Sequence, residues 1–503
     1  MLNEIMLGLL SIFNVYSIAA ILFGLVVGLL FGAIPGISGI MAISILLPLT
    51  FYVSPLVGIP MLLGIYKASI YGGSISAILL NTPGAPPAVC TAMDGYPMIQ
   101  HGQAGKALNA ALSSSIFGDT FSNLLLIFVA APISYVAIKI GPAEQFCLIV
   151  LALVIVGSIS GKSILKGIIC AGFGMLISMI GVSGINGAIR FSFNYEPLFA
   201  GVALIPMVIG LLCLPEIIHQ VGVKAVEIAA YAIDLKNPDN RFSWREFKEH
   251  IPLMFRSSII GSIIGAMPGL GASPAAFMSY SEAKRKSRNP ETFGKGNVEG
   301  VIAPEAANNA TTGSAMIPLL TLGIPGDDVT AVLMGAFLIQ GLSPGPNIFF
   351  ESTRTVYALF GALIICDILL FFVAKVGFRL WIRTLRIPRY IIFSLVTIFA
   401  FLGTYSINQS FFDLFCLIIF GVIGYFIRVF GFSAGAVIIG FILCPILEKS
   451  YDQTMVISNG SWLIFFERPI AVVIIIITVI SLYSVHKMRC KQKHPALQEK
   501  ADN

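Results

Sequence analysis

The apolar stretches of this chain are interrupted at matching places in two separate segments. Gly32-Ala-Ile-Pro35-Gly36-Ile-Ser38-Gly39 returns as Gly265-Ala-Met-Pro268-Gly269-Leu-Gly271-Ala272. The first copy continues through Gly73-Ser74, an apolar run, Asn81-Thr82-Pro83-Gly84 and Met98-Ile99-Gln100. The second continues through Gly313-Ser314, an apolar run, Gly323-Ile324-Pro325-Gly326 and Leu338-Ile339-Gln340. The 503 residues are 57% hydrophobic and 11% charged, whereas soluble domains carry about a quarter charged residues. The chain is therefore a polytopic membrane protein. Irregular backbone survives in lipid only where protein or a water-filled cavity satisfies its N–H and C=O groups. Paired interruptions in two halves point to a transport site. The expected fold is all-α, an inverted-repeat secondary transporter with re-entrant hairpins and broken helices.

A span needs about twenty apolar residues. Such runs lie at 107–131, 144–160, 164–182, 197–214, 355–378, 390–408, 411–430, 432–447 and 468–486. The run at 432–447 is short enough to be read as partly re-entrant. The stretches 16–53, 56–100 and 257–342 hold the Pro-Gly breaks. Basic loops set the orientation. Lys375, Arg379, Arg383, Arg386 and Arg389 place one loop in the cytoplasm, and Lys487, Arg489, Lys491 and Lys493 place the C-terminal tail there. Segments 219–256 and 281–297, rich in Lys and Arg, join Lys106, Lys162 and Lys166 on the same side. Residues 257–280 then enter and return, turning at Pro268-Gly269, and 300–342 cross outward where the first copy crosses inward. The organisation read from this is a transmembrane half at 1–218, a connector at 219–256, a second half at 257–486 and a tail at 487–503. Trp244, Phe247 and Ile251 lie at helical spacing beside Arg245, Lys248 and Glu249. The connector reads equally as an interfacial amphipathic helix or a solvated linker.

Proline removes a backbone donor and glycine permits positive φ. A helix restarting after such a turn offers free N–H groups and a positive dipole end, which suits a carboxylate. Gly36, Ser38, Gly39, Gly269, Gly271 and Ser273 are candidates for that role. At the second breaks, Asn81 and Thr82 add side-chain donors. Unwound carbonyls near Pro83, Gly84, Gly323, Pro325 and Gly326 suit a cation such as Na⁺. A surface turn with Asp327 and Asp328 as helix caps is the competing reading. Glu305, Asn308, Asn309 and Thr312 follow i, i+3, i+4, i+7, so they share a helix face that cannot look at lipid. Lys67 either faces an anion or snorkels to a headgroup. Asp119 and Asp367, without a partner visible in sequence, read as inter-helix hydrogen bonds.

The net charge of +6 sits in short loops and marks topology rather than a nucleic-acid surface. Eight scattered cysteines read as buried small hydrophobes. The N-terminus lacks a signal-peptide layout and is expected to stay attached. There is no Walker A sequence, no Gly-x-Ser-x-Gly and no His-Glu-x-x-His, so an enzyme is not expected.

The motifs Gly32-Ala-Ile-Pro-Gly-Ile-Ser-Gly39, Tyr71-Gly-Gly-Ser-Ile-Ser-Ala-Ile-Leu-Leu-Asn-Thr-Pro-Gly84, Gly265-Ala-Met-Pro-Gly-Leu-Gly271, Pro304-Glu-Ala-Ala-Asn-Asn-Ala-Thr-Thr-Gly-Ser314 and Gly323-Ile-Pro-Gly326 resemble the large membrane subunit of the tripartite tricarboxylate transporter family, TctA type. The resemblance implies a bacterial inner-membrane secondary transporter importing a di- or tricarboxylate. It implies drive by a Na⁺ or H⁺ gradient, without choosing between them. Implied partners are a small membrane subunit of about four helices, a periplasmic solute-binding protein and, within the lipid bilayer, room for a homo-oligomer. The substrate-binding set expected is Gly36, Ser38, Gly39, Asn81, Thr82, Gly269, Gly271, Ser273, Asn308, Asn309 and Thr312. No cofactor or catalytic residue is expected. The rival readings are a passive anion channel and a non-transporting scaffold or enzyme subunit.

Overall fold

The computed structural model describes residues 2–34, 37–159, 164–221, 240–384 and 389–493. Pro35 and Gly36 lie outside them, as do most of the connector and the end of the tail. The elements are α1 (Leu2–Ser11), α2 (Val15–Ala33), α3 (Gly39–Leu46), α4 (Pro55–Leu80), α5 (Ala88–Gln100), α6 (Ala104–Ala137), α7 (Pro142–Ile159) and α8 (Ile164–Ser178). A two-stranded hairpin, β1 (Gly181–Val182) with β2 (Ile189–Arg190), precedes α9 (Leu204–Val221) and α10 (Trp244–Gly265). Then follow α11 (Ala272–Lys286), α12 (Glu299–Leu322), α13 (Asp328–Ile339), α14 (Ile348–Glu351) and α15 (Thr353–Thr384). The chain ends with α16 (Arg389–Asn408), α17 (Phe411–Val429), α18 (Ala434–Ile457), α19 (Ile464–Glu467) and α20 (Pro469–Lys493). Among the described residues seven helices are long and apolar enough to cross a bilayer. The all-α polytopic expectation holds.

Three expected spans need correction. The run at 164–182 is helical only to Ser178, and Gly181 and Val182 stand in the β-hairpin. The run at 197–214 becomes α9 only from Leu204, because Gly201 takes φ +78° and ends a short turn of helix before it. The run at 432–447 is not re-entrant. Ser433 caps α18 by accepting from Ala436 N–H, and the helix continues through Pro445 to Ile457. Trp244 to Ile251 are the first turns of α10, started by a capping box between Ser243 and Glu246, so this amphipathic stretch is continuous with the helix behind it.

The chain forms two compact units. One holds residues 138–202 and 427–503. In it α18 packs on α7 and α8, and α20 packs on α7. Glu144 lies 3.4 Å from Arg468, and Arg190 lies 2.7 Å from Glu448. The other unit holds residues 1–137 and 203–426, and with them both copies of the repeat.

Glycines set the packing of each copy. Gly24, Gly28 and Gly32 of α2 rest in turn on the backbone of Met61, Ile65 and Ser69 of α4. Side chains there would collide with those carbonyls, so the two helices run parallel at a separation only glycine permits. In the second copy Gly261 and Gly265 of α10 rest on Ala307 and Thr311 of α12. Gly84 then folds against Gly73, and Gly326 against Ala315. The structural register therefore pairs Gly73 with Ala315, two residues beyond the Gly73-Ser74 and Gly313-Ser314 match suggested by sequence.

Polar contacts give direction. Ser74 of α4 bonds Glu305 of α12, while Lys67 of α4 and Thr312 of α12 meet the same aspartate. Because 67 and 74 descend α4 as 312 and 305 ascend α12, the two helices are antiparallel. The first copy thus runs opposite to the second. The neighbours exchange accordingly: α5 packs on α12 as α13 packs on α4, and α11 touches α5 as α3 touches α13. The repeat is inverted.

Candidate functional site

The described breaks fold back along α4 and α12: Gly84 lies against Gly73, Gly326 against Ala315, and Gly269 beside Gly326. Gly32, the last turn before the first break, sits at Ser69; Gly265, its counterpart, sits at Thr311. Asn81 caps α4 in the left-handed region, φ 50°, and Gly323 caps α12 there at φ 70°. Asparagine is one of the few side chains that tolerate this geometry. Gly269 N–H donates to Gly326 C=O at 2.7 Å, so the two breaks of the second copy are tied together. Along α4, the second breaks of the two copies meet Tyr66 and Gly73, through Asp327 and Gly84 respectively. Those positions differ by about 10 Å of helix rise. The second breaks of the two copies therefore meet the same central stretch of α4.

The expected anion-facing N-termini behave differently. Ser38 spends its side chain on capping α3, accepting from Met41 N–H at 3.3 Å, and Gly39 abuts Ser69. Gly271, φ +65°, starts α11 without any side-chain cap, and Ser273 is half-buried in its first turn. The α11 amides thus lack the side-chain cap that closes α3. Asn81 is exposed, and Thr82 donates to Leu80 C=O at 3.1 Å. Pro83 and Gly84 are half-buried; Gly323, Pro325 and Gly326 are buried.

The polar face of α12 is buried throughout. Glu305 accepts from Ser74 at 2.5 Å, from Ser115 at 2.8 Å and from Thr91. Three hydroxyls satisfy one carboxyl, so it serves as a joint between α4, α5, α6 and α12. Asn309 donates to its own helix at Glu305 C=O, and its side-chain oxygen has no partner. Thr312 donates to Asp119. Asn308 is 1% exposed, and neither its oxygen nor its nitrogen has a hydrogen-bond partner. In the structural register Asn308 corresponds to Tyr66, which reaches the second break of the other copy by bonding Asp327 at 2.9 Å. An orphaned amide costs about 1–3 kcal/mol, which marks Asn308 as a group awaiting a partner.

Lys67 is fully buried at the midpoint of α4, so it does not snorkel. It sits 2.8 Å from Asp119 of α6 and 2.6 Å from Asp367 of α15. Asp367 also accepts from Asn123 at 2.7 Å and Thr120 at 3.1 Å. Sequence reading treated these three ionisable residues separately because nearly 250 residues separate Asp119 from Asp367. The signal available was that all three interrupt apolar runs, where a buried charge demands an opposite one. Asp94 was missed too. Its Oδ1 accepts from the N–H groups of Gly294, Gly296 and Asn297, and its Oδ2 from Tyr280. That carboxylate moors the loop before α12 onto α5. Among the described residues no group of three His, Cys, Asp or Glu is placed to hold a metal.

Residues 18–439 match the model of the tripartite tricarboxylate transporter TctA family. An uncharacterized 52.8 kDa protein in the TAR-I ttuC' 3'region of Agrobacterium vitis is 36% identical over 472 residues, covering 94% of this chain and 93% of that protein. An uncharacterized protein in the TAR-II ttuC' 3'region of Agrobacterium vitis is 40% identical over 211 residues, covering 42% of this chain and 87% of that protein. No solved structure matches the chain. The chain belongs to the TctA family.

Proposed function

From membership in the tripartite tricarboxylate transporter TctA family we propose that this chain is the large subunit of a binding-protein-dependent secondary transporter. It imports an organic di- or tricarboxylate, driven by a Na⁺ or H⁺ gradient, together with a small membrane subunit and a periplasmic binding protein. The observation that carries the reading is the inverted repeat whose second breaks meet the same central stretch of α4, with Asn308 of α12 buried and unsatisfied.

The chemistry is as follows. Amide groups at the uncapped start of α11 present partial positive charge. Asn308 adds donors at the second helix of the same copy. A carboxylate arriving between them gains hydrogen bonds that the empty protein lacks, which offsets its dehydration. Coupling cations neutralise the remaining charge. Because the binding groups belong to elements that run in opposite senses, exchanging the packing of the two copies presents the site alternately to each end.

The test is uptake into proteoliposomes holding the chain, its small partner and a binding protein, with labelled citrate, succinate and malate supplied one at a time. Na⁺ and pH gradients are imposed separately. Accumulation under either gradient supports transport, whereas equilibration that ignores both gradients favours a passive channel. No flux of any of the three carboxylates counts against this reading.

A further inference from the structure

The Lys67 cluster contains one base and two acids, all buried among α4, α6, α12 and α15. With all three ionised it carries a net negative charge in a place where an unbalanced charge costs several kcal/mol. The hydrogen bonds show which oxygen is left over. Asp367 spends Oδ1 on Lys67 and Oδ2 on Thr120 and Asn123. Asp119 spends Oδ1 on Lys67 and Thr312, and its Oδ2 has no partner. One turn along α6, Asn123 gives its nitrogen to Asp367, which fixes the orientation of the amide and leaves its oxygen unpaired. An orphan acceptor on a carboxyl beside an orphan acceptor on an amide, i to i+4, is the arrangement that one added proton resolves.

We propose that Asp119 carries a proton on Oδ2, directed toward the Asn123 side-chain oxygen, and that this is where a coupling proton rides during transport. The coupling role rests on the carboxylate-import reading; the occupancy of the oxygen does not. The step is reversible protonation: an O–H bond forms on Asp119 with a proton from water and breaks to return it. A hard metal cation fits less well, since such ions gather about six oxygens and α6 offers two free acceptors here, Asp119 Oδ2 and Asn123 Oδ1. The other ionisable groups around Asp119 are Lys67 and Tyr66 on α4 and Cys366 and Asp367 on α15, while Glu305 on α12 is held by Ser74, Thr91 and Ser115. Asp94 lies on α5, held by its loop, and α10 presents none between Ser257 and Gly265. Thr312 connects the proton to substrate handling, because it lies one turn from Asn308 on the same helix.

A path also exists. A cavity of about 640 Å³ between α6, α10 and α15 is lined by Asn109, Ser113, Thr120, Phe247, Phe371 and Lys375, among others. Asn109, Ser113 and Thr120 form polar rungs on α6, and the last bonds Asp367. Thr120 thus stands both on the cavity wall and at the edge of the cluster.

The experiment is infrared difference spectroscopy of the purified full-length chain in lipid nanodiscs through a pH titration, reading the carbonyl stretch of protonated carboxyl groups. The wild type is expected to show such a band. Asp119→Asn should lose that component, and Glu305→Gln should keep it. Should Asp119→Asn fail to fold, Asn123→Leu serves instead: it removes the amide oxygen that receives the proton, so the band should shift in frequency. Absence of the band from the wild type, its persistence in Asp119→Asn, or an unshifted band in Asn123→Leu overturns the proposal. In proteoliposomes with citrate, succinate and malate as probes, a pH gradient should drive accumulation in the wild type, and Asp119→Asn should lose it. Accumulation driven by Na⁺ alone overturns the coupling role. Failure of every carboxylate to accumulate sinks the transport reading, and the infrared band then decides the proton by itself.

Discussion

In the first copy of the repeat, the midpoint of α4 carries Tyr66 and Lys67; in the second, the corresponding positions of α12 carry Asn308 and Asn309. The first pair is fully engaged, Tyr66 with Asp327 and Lys67 with two aspartates. The second pair has three of its four side-chain polar atoms unpaired. The same backbone thus supports two different polar fillings. One is an internal ion cluster that locks α4 to α6 and α15. The other is a set of donors and acceptors whose hydrogen bonds are still to be made. An inverted repeat needs equivalent backbones to move symmetrically, but it does not need equivalent side chains, and here the copies have divided the tasks.

The sharpest way to break this division is to truncate the open side. Asn308→Ala should abolish carboxylate uptake in proteoliposomes while the protein inserts normally. Its thermal stability should match wild type or exceed it by up to about 1–3 kcal/mol, because a buried amide without partners costs stability and leaves no hydrogen bond to lose. Uptake at the wild-type rate would remove Asn308 from the site. The closed side should answer in the opposite manner. Lys67→Met leaves two acids without their counter-ion and should destabilise the fold by about 3–5 kcal/mol, read by thermal unfolding in detergent. Stability no lower than that of Asn308→Ala would refute the locking role.

The backbone equivalence is tested by glycine. Gly28→Val and Gly261→Val each place a branched side chain against a carbonyl of the parallel partner, Ile65 or Ala307. Each should cost about 1–3 kcal/mol by overpacking, also read by thermal unfolding. If only one of the two is destabilising, the copies are not packed alike.

What the sequence disclosed and what it withheld follow from how each feature is encoded. The breaks were legible because proline and glycine restrict or release the backbone wherever they stand. The inversion was legible because basic loops count crossings. The register was not: Gly73 and Gly313 look like a match, yet Gly84 and Gly326 fix Gly73 against Ala315 by close packing that spacing alone does not reveal. The polar character of α12 was plain, but which of its side chains would be satisfied depends on Ser74, Thr91 and Ser115 from three other helices. Lys67, Asp119 and Asp367 were each visible as costly residues in apolar runs. Their meeting is a property of the helix packing, and no local pattern announces it. Ser38 shows the reverse case, where a residue chosen for an anion is used by its own helix as a cap.

The smallest expected effect lies where the two copies join outside the buried core. Lys106 at the start of α6 pairs with Glu246 in the first turn of α10 at 2.5 Å. Burial works against the charge of Glu246, but hydrogen bonds from Lys106 and Ser243 outweigh it and hold the carboxyl below its ordinary range. A carboxyl lowered in the folded state stabilises above its unfolded value and loses that contribution as pH falls through the folded one. The contribution is therefore present at neutral pH and fades below the ordinary glutamate value of 4.5. Because the pair is partly exposed and screened, it amounts to a few tenths of a kcal/mol. Glu246→Gln should unfold at a slightly lower temperature than wild type at neutral pH, with the gap closing in acid and in high salt. A gap that is the same at both pH values would show that the residue acts through its part in the Ser243 capping box, leaving the junction between the copies without an electrostatic tie.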